Sequence, residues 1–137
     1  MIKMNLIPIG EVVDCYPSRS DAPRQGAFGD RLCRIRIYEE FAEGLDGLER
    51  YDRLIILYWL HLSRRNVLKA KPPGSEEVRG VFSTRSPERP NPIGLAVVRL
   101  IEMSGSTLAV KGLDAVTGTP VIDIKPFLKD VDCRGVD

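Results

Sequence analysis

The stretch Leu32-Cys33-Arg34-Ile35-Arg36-Ile37-Tyr38 alternates apolar and charged residues with a period of two. That spacing puts Cys33, Ile35 and Ile37 on one face of a strand and Arg34 and Arg36 on the other, and predicts a half-buried β-strand. Working outward, the same rhythm recurs: short apolar segments separated by Gly, Pro, Asp and Ser clusters, with hardly any 3.6-residue period sustained over three turns. Upstream, Leu6 to Val13 is a strand candidate, and Asp14 to Asp30 a polar loop long enough to be functional. Downstream, Phe41 to Glu49 carries Gly44 and Gly47 and reads as a compact turn region with room for one helical turn. Arg53 to His61 is apolar on both faces and predicts a strand covered on both sides, a second subunit being one candidate cover. Residues 62 to 78 form a connector, and Gly80 to Ser83, Ile93 to Ile101, Thr107 to Leu113 and Val121 to Lys125 complete the series.

About seven strands without helical crossovers must mostly pair antiparallel. Closure removes the exposed edges an open meander would leave, so the expectation is a mainly β domain, a small closed or nearly closed barrel with long functional loops. The 137 residues, 43% hydrophobic and 28% charged, suit one domain over 1–137. Twenty Lys+Arg against 19 Asp+Glu exclude both a cationic tail and an acidic disordered segment. Cys15, Cys33 and Cys133 at wide spacing, with one histidine, exclude a zinc site. They fit a reduced compartment in which each thiol is packed or idle. No signal pattern opens the chain, and the apolar run Leu54 to Leu60 is far shorter than the about 20 residues a bilayer needs. These features predict a cytoplasmic protein with neither metal nor membrane contact.

No dinucleotide-binding glycine pattern, phosphate loop or nucleophile elbow occurs, and a Ser/His/Asp triad would depend on His61 alone. The informative stretch is Gly80-Val81-Phe82-Ser83-Thr84-Arg85-Ser86-Pro87-Glu88-Arg89-Pro90-Asn91-Pro92-Ile93-Gly94-Leu95. Its prolines fix φ and remove donors, so a stiff loop presents Arg85, Arg89 and Asn91 to a ligand carrying a carboxylate, hydroxyls and a base. The competing reading is a proline-braced connection with solvated arginines. Between positions 64 and 99, eight basic residues face three acidic ones, a patch able to guide a phosphate backbone but unaccompanied by an aromatic stacking series. His61 closes its strand at the polar end, either at a barrel mouth or as a structural histidine. Asp114 sits at another strand end, suited to ribose hydroxyls, an ammonium group or simply turn chemistry. Pro23-Arg24-Gln25-Gly26 is a ligand contact or a turn, and Asp123 and Lys125 share a face on which they can pair.

These pieces, together with Gly44 to Glu49 and Gly118-Thr119-Pro120-Val121-Ile122-Asp123-Ile124-Lys125-Pro126, fall in order and resemble the TsaA/TrmO-like (YaeB-like) family. The resemblance implies a homodimeric β-barrel S-adenosylmethionine-dependent methyltransferase that acts on N6 of threonylcarbamoyl-adenosine beside the tRNA anticodon. It carries cofactor contacts onto Pro23, Arg24 and Gln25, onto His61 and Leu62, onto Arg85 and Leu95, and onto the turn Asp114, Ala115, Val116 and Thr117. The chain departs from the family's usual pattern at Thr117, where Asp is common, and at Tyr51-Asp52-Arg53. It matches the barrel without the additional C-terminal domain of longer members.

On this reading Arg85 or Arg24 pairs with the methionine carboxylate, and Asp114 or its turn holds the ribose or the amino group. By analogy with Asn-Pro loops of other adenine N6 methyltransferases, Asn91 is the candidate catalytic residue, accepting protons of the target amine. Two rivals stand beside it: a non-catalytic OB-like RNA-binding barrel, and a methyltransferase whose acceptor is a small molecule or protein.

Overall fold

A computed structural model describes residues 1–26 and 29–136; Ala27 and Phe28, within the predicted long loop, and Asp137, the last residue of the predicted domain, lie outside the described residues. Strands β1 (Gly10–Asp14), β2 (Leu32–Ile37), β3 (Arg53–Trp59), β6 (Ile93–Ser104), β7 (Thr107–Lys111) and β8 (Pro120–Pro126) close into a barrel in the order β1-β2-β7-β6-β3-β8. Every pairing is antiparallel. The barrel therefore has six strands where about seven were expected. The predicted strand Gly80 to Ser83 is not one of them: β5 (Arg79–Gly80) pairs only with β4 (Lys69–Ala70), outside the barrel. Val81–Ser83 turns into a 3-10 helix because Ser83 and Thr84 hydroxyls donate to the carbonyls of Gly80 and Val81 at 2.8 and 2.9 Å, which competes with strand pairing.

The alternation read from β2 holds. Cys33, Ile35 and Ile37 are buried while Arg34 and Arg36 face outward to Asp14 and Glu11 of β1, at 3.3 and 2.8 Å. Val12, Leu54, Ile56, Val98, Leu108, Val110 and Val121 complete the interior. β1 starts later than the apolar run suggested, leaving Leu6 and Ile7 exposed. β3 is buried on its barrel face only; Ile55, Leu57 and Trp59 on the other face are half-buried. Asp123 and Lys125 pair at 3.0 Å.

The expectation of three packed or idle thiols is corrected. Cys15 and Cys33 are bonded to each other, and Cys133 alone is free. The bond joins the start of the long loop to the start of β2, where strand pairing brings distant positions together and sequence spacing gives no sign of it.

Antiparallel order decides where the loops gather. Because successive barrel strands run in opposite directions, the connections β1 to β2, β3 to β6 and β7 to β8 all emerge at one end. The other end holds the 3-10 turns Glu39–Leu45 and Leu48–Arg50, whose Leu45 and Leu48 close the core, and the short α1 (Lys129–Asp132). No helix among the described residues is long and apolar enough to cross a membrane.

Candidate ligand pocket at the loop end

The three long connections enclose a cavity of about 840 Å³ at their end of the barrel. Pro23, Arg24 and Gln25 line it from the first connection, and His61, Leu62, Arg85 and Asn91 from the second. Leu95 follows on β6, and Asp114, Ala115 and Val116 lie on the third connection. Thr117 is not on the wall. Its hydroxyl accepts from the Cys15 N–H at 2.9 Å and its own N–H donates to the Tyr16 carbonyl at 2.8 Å, tying the first connection to the third.

Tyr58 forms the floor with Asp114. In register it faces Gly94 across β3 and β6, where a Cβ on Gly94 would lie 2.4 Å from the tyrosine ring. The missing side chain lets the ring lie flat over the strand, and the hydroxyl then donates to Asp114 Oδ1. Burial, then the charge and hydrogen bond of Asp114, push the Tyr58 hydroxyl far above the usual tyrosine range, so it stays a donor. Burial also raises the Asp114 carboxyl, against the Tyr58 hydroxyl and backbone N–H groups of Asp114 and Gly26 that pull it down. Gly26 approaches so closely that a Cβ there would lie 1.8 Å from the Gly112 carbonyl oxygen. Tyr58 escaped the sequence reading because an aromatic in an apolar strand looks like core, and its pairing with Gly94 exists only in the register of β3 and β6.

Glu88 knots the rim. Its carboxylate accepts from Arg19 of the first connection at 3.0 Å and from the backbone N–H of Arg64, while Arg19 also reaches the Leu62 carbonyl at 3.2 Å. Burial works upward on this carboxyl, but the hydrogen bonds of Arg19 and Arg64 and their charges outweigh it and hold it below the usual glutamate range.

The arginines of the proline loop divide their work. Arg89 lines the cavity and donates through Nη1 to the carbonyls of Thr84 and Ser86 at 3.1 and 2.9 Å, bracing the loop from the cavity wall. Arg85 donates to Gln25 Oε1 at 3.0 Å across the cavity and keeps further N–H groups for other partners. Arg65 lies over the Trp59 ring and donates to the Pro90 carbonyl and to Asn91 Oδ1 at 2.7 and 3.0 Å, which fixes the asparagine. Arg24 has no ion-pair partner among the described residues.

A closed antiparallel six-stranded barrel with one polar-rimmed cavity assembled from its three same-end loops is a ligand-binding β-barrel of non-Rossmann type. Residues 11–133 match the tRNA-methyltransferase O N-terminal domain family, and the chain belongs to that family. It is 48% identical over 134 residues to a probable S-adenosyl-L-methionine-binding protein of Methanothermobacter thermautotrophicus, covering 98% of this chain and 97% of the relative. Over 133 residues it is 39% identical to a mouse (Mus musculus) tRNA (adenine(37)-N6)-methyltransferase, covering 91% of this chain but 31% of that protein. The crystal structure of TrmO from Pseudomonas aeruginosa superposes with a TM-score of 0.81 at 30% identity. This chain is covered in full there and spans 60% of that longer protein.

Proposed function

We propose that this protein is an S-adenosylmethionine-dependent methyltransferase acting on N6 of an adenosine beside the tRNA anticodon, in its threonylcarbamoylated form. The observation that carries the reading is the cavity itself, in which the half-buried Asp114 carboxyl, held by Tyr58 on the floor, shares one wall with Arg24 and Arg85. A zwitterionic nucleoside asks for that pairing. A volume of about 840 Å³ also falls in the range of roughly 300–1,000 Å³ typical of small-molecule sites.

When bound, the cofactor would supply a methyl group already activated on its sulfonium, for transfer to the acceptor nitrogen with the C–S electron pair left on sulfur and one N–H proton released to water. The chain's residues hold and orient. Arg85, already aligned by Gln25, or Arg24 takes the carboxylate end. Asp114, oriented by Tyr58, takes the ammonium group or the ribose hydroxyls. Asn91 Oδ1, held by Arg65, has a second lone pair with which to accept an N–H of the target amine and draw its lone pair out of the ring. The gain is chiefly one of proximity and orientation.

A second copy of the chain belongs to this reading. Ile93, Leu95 and Val97, all exposed, face Trp59, Leu57 and Ile55 in register on the outer surface of β6 and β3, an apolar stripe that reaches the cavity through Leu95.

The test is incubation with methyl-labelled S-adenosylmethionine and total tRNA, followed by nucleoside mass analysis. A methylated threonylcarbamoyl-adenosine that weakens steeply as salt rises is the expected product. Label recovered only in small molecules or protein would move the acceptor, and no label with no cofactor binding would leave an RNA-binding barrel.

A further inference from the structure

The cavity does not end at its rim. A second, shallower hollow of about 560 Å³ adjoins it and shares Pro72, Pro73, Thr84 and Arg85 with its wall. Phe82 stands in this hollow with 79% of its surface exposed, far more than a large apolar side chain needs. The backbone beside it is pinned. Its neighbour Val81 is buried, the Val81 N–H donates to the Leu68 carbonyl at 2.9 Å, and the Val81 carbonyl accepts from the Thr84 N–H at 3.0 Å. Arg79, on the same hollow, has no ion-pair partner among the described residues.

An exposed ring on a braced turn, an unpaired guanidinium beside it and a shared wall with the methyl-donor cavity are the parts of a single-stranded nucleotide subsite. Aromatic faces stack bases regardless of sequence, and arginine meets the neighbouring phosphate. We propose that Phe82 and Arg79 form the acceptor subsite, with Phe82 stacking on a base of the unpaired RNA loop and Arg79 taking a phosphate next to it. This rests on the reading of the main cavity as the methyl-donor site next to an RNA acceptor. Phe82 and Arg79 are positioning residues here, since neither reaches the reacting atoms.

The test uses an anticodon stem-loop RNA with 2-aminopurine in place of the adenine that follows the anticodon. Loop affinity and fluorescence are read for wild type, Phe82→Ala, Phe82→Trp and Arg79→Ala. S-adenosylmethionine affinity by calorimetry and sedimentation are measured on the same samples. Phe82→Ala is expected to lose about tenfold in RNA affinity together with the stacking change in fluorescence, and Phe82→Trp to restore both. Arg79→Ala should weaken binding and flatten its salt dependence. Cofactor affinity and sedimentation should not move. Unchanged RNA affinity in Phe82→Ala overturns the subsite, as does a wild type that binds cofactor but not the loop. A shift in sedimentation on removing Phe82 overturns it as well, because the ring would then serve contact between copies. Failure of the cofactor reading shows separately, as absent heat with S-adenosylmethionine in wild type.

Discussion

Gly94, Tyr58 and Asp114 form a chain of cause in which an absent side chain places a ring, and the ring orients a carboxyl. Gly94→Ala would set a methyl group within 2.4 Å of the Tyr58 ring, so the ring or the β3–β6 pairing must shift. We expect a loss of about 1–3 kcal/mol in denaturant unfolding, with Tyr58→Phe far milder in its effect on strand pairing. Asp114 gives a pH signature. Burial raises its carboxyl in the folded protein, so between the unfolded value of about 4 and the folded one the native state binds more protons, and stability falls as pH rises through that window. Asp114→Asn lacks this change. Melting temperatures of the two proteins measured against pH should therefore diverge in favour of the variant as pH rises, with a parallel curve contradicting the assignment. Asp114 was legible as a strand-end aspartate, whereas its tyrosine partner was not, because 56 residues separate them and only the barrel's register makes them neighbours.

At the scale of the element, the connection between β1 and β2 owes its shape to two closures. The Cys15–Cys33 bond pins its ends, and Arg19 ties its middle to Glu88. A disulfide spanning 18 residues removes loop entropy from the unfolded chain, worth about 3 kcal/mol in the chain-entropy account. The Cys15→Ala/Cys33→Ala pair should thus unfold at lower denaturant, and it should bind S-adenosylmethionine more weakly, since Pro23 to Gln25 ride on that connection. Calorimetry showing unchanged affinity would separate the loop's closure from the site. Strand β2 was readable because its alternation is clean, and the stiffness of the proline loop because prolines act locally. The tie from Glu88 to Arg19 and the disulfide join positions far apart in the chain and have no local pattern to announce them. The 3-10 turn after Gly80 was misread as strand because Val81 and Phe82 favour extended backbone, while the hydroxyls that reverse it lie on Ser83 and Thr84.

For the whole molecule, function follows from strand direction. Six alternating strands deliver three connections to one end, and each brings one set of groups to the cavity: the Pro23 to Gln25 turn, the proline-braced arginine loop and the Asp114 turn. The sequence order of these motifs was plain; that they converge required the barrel. The most direct test of the account is calorimetric titration of S-adenosylmethionine into the wild-type protein and into Arg85→Ala and Asp114→Ala. The expected result is one cofactor bound per chain, with an affinity that falls at least tenfold in each variant while both remain folded. Absence of binding in wild type, or equal affinity in all three, would contradict it.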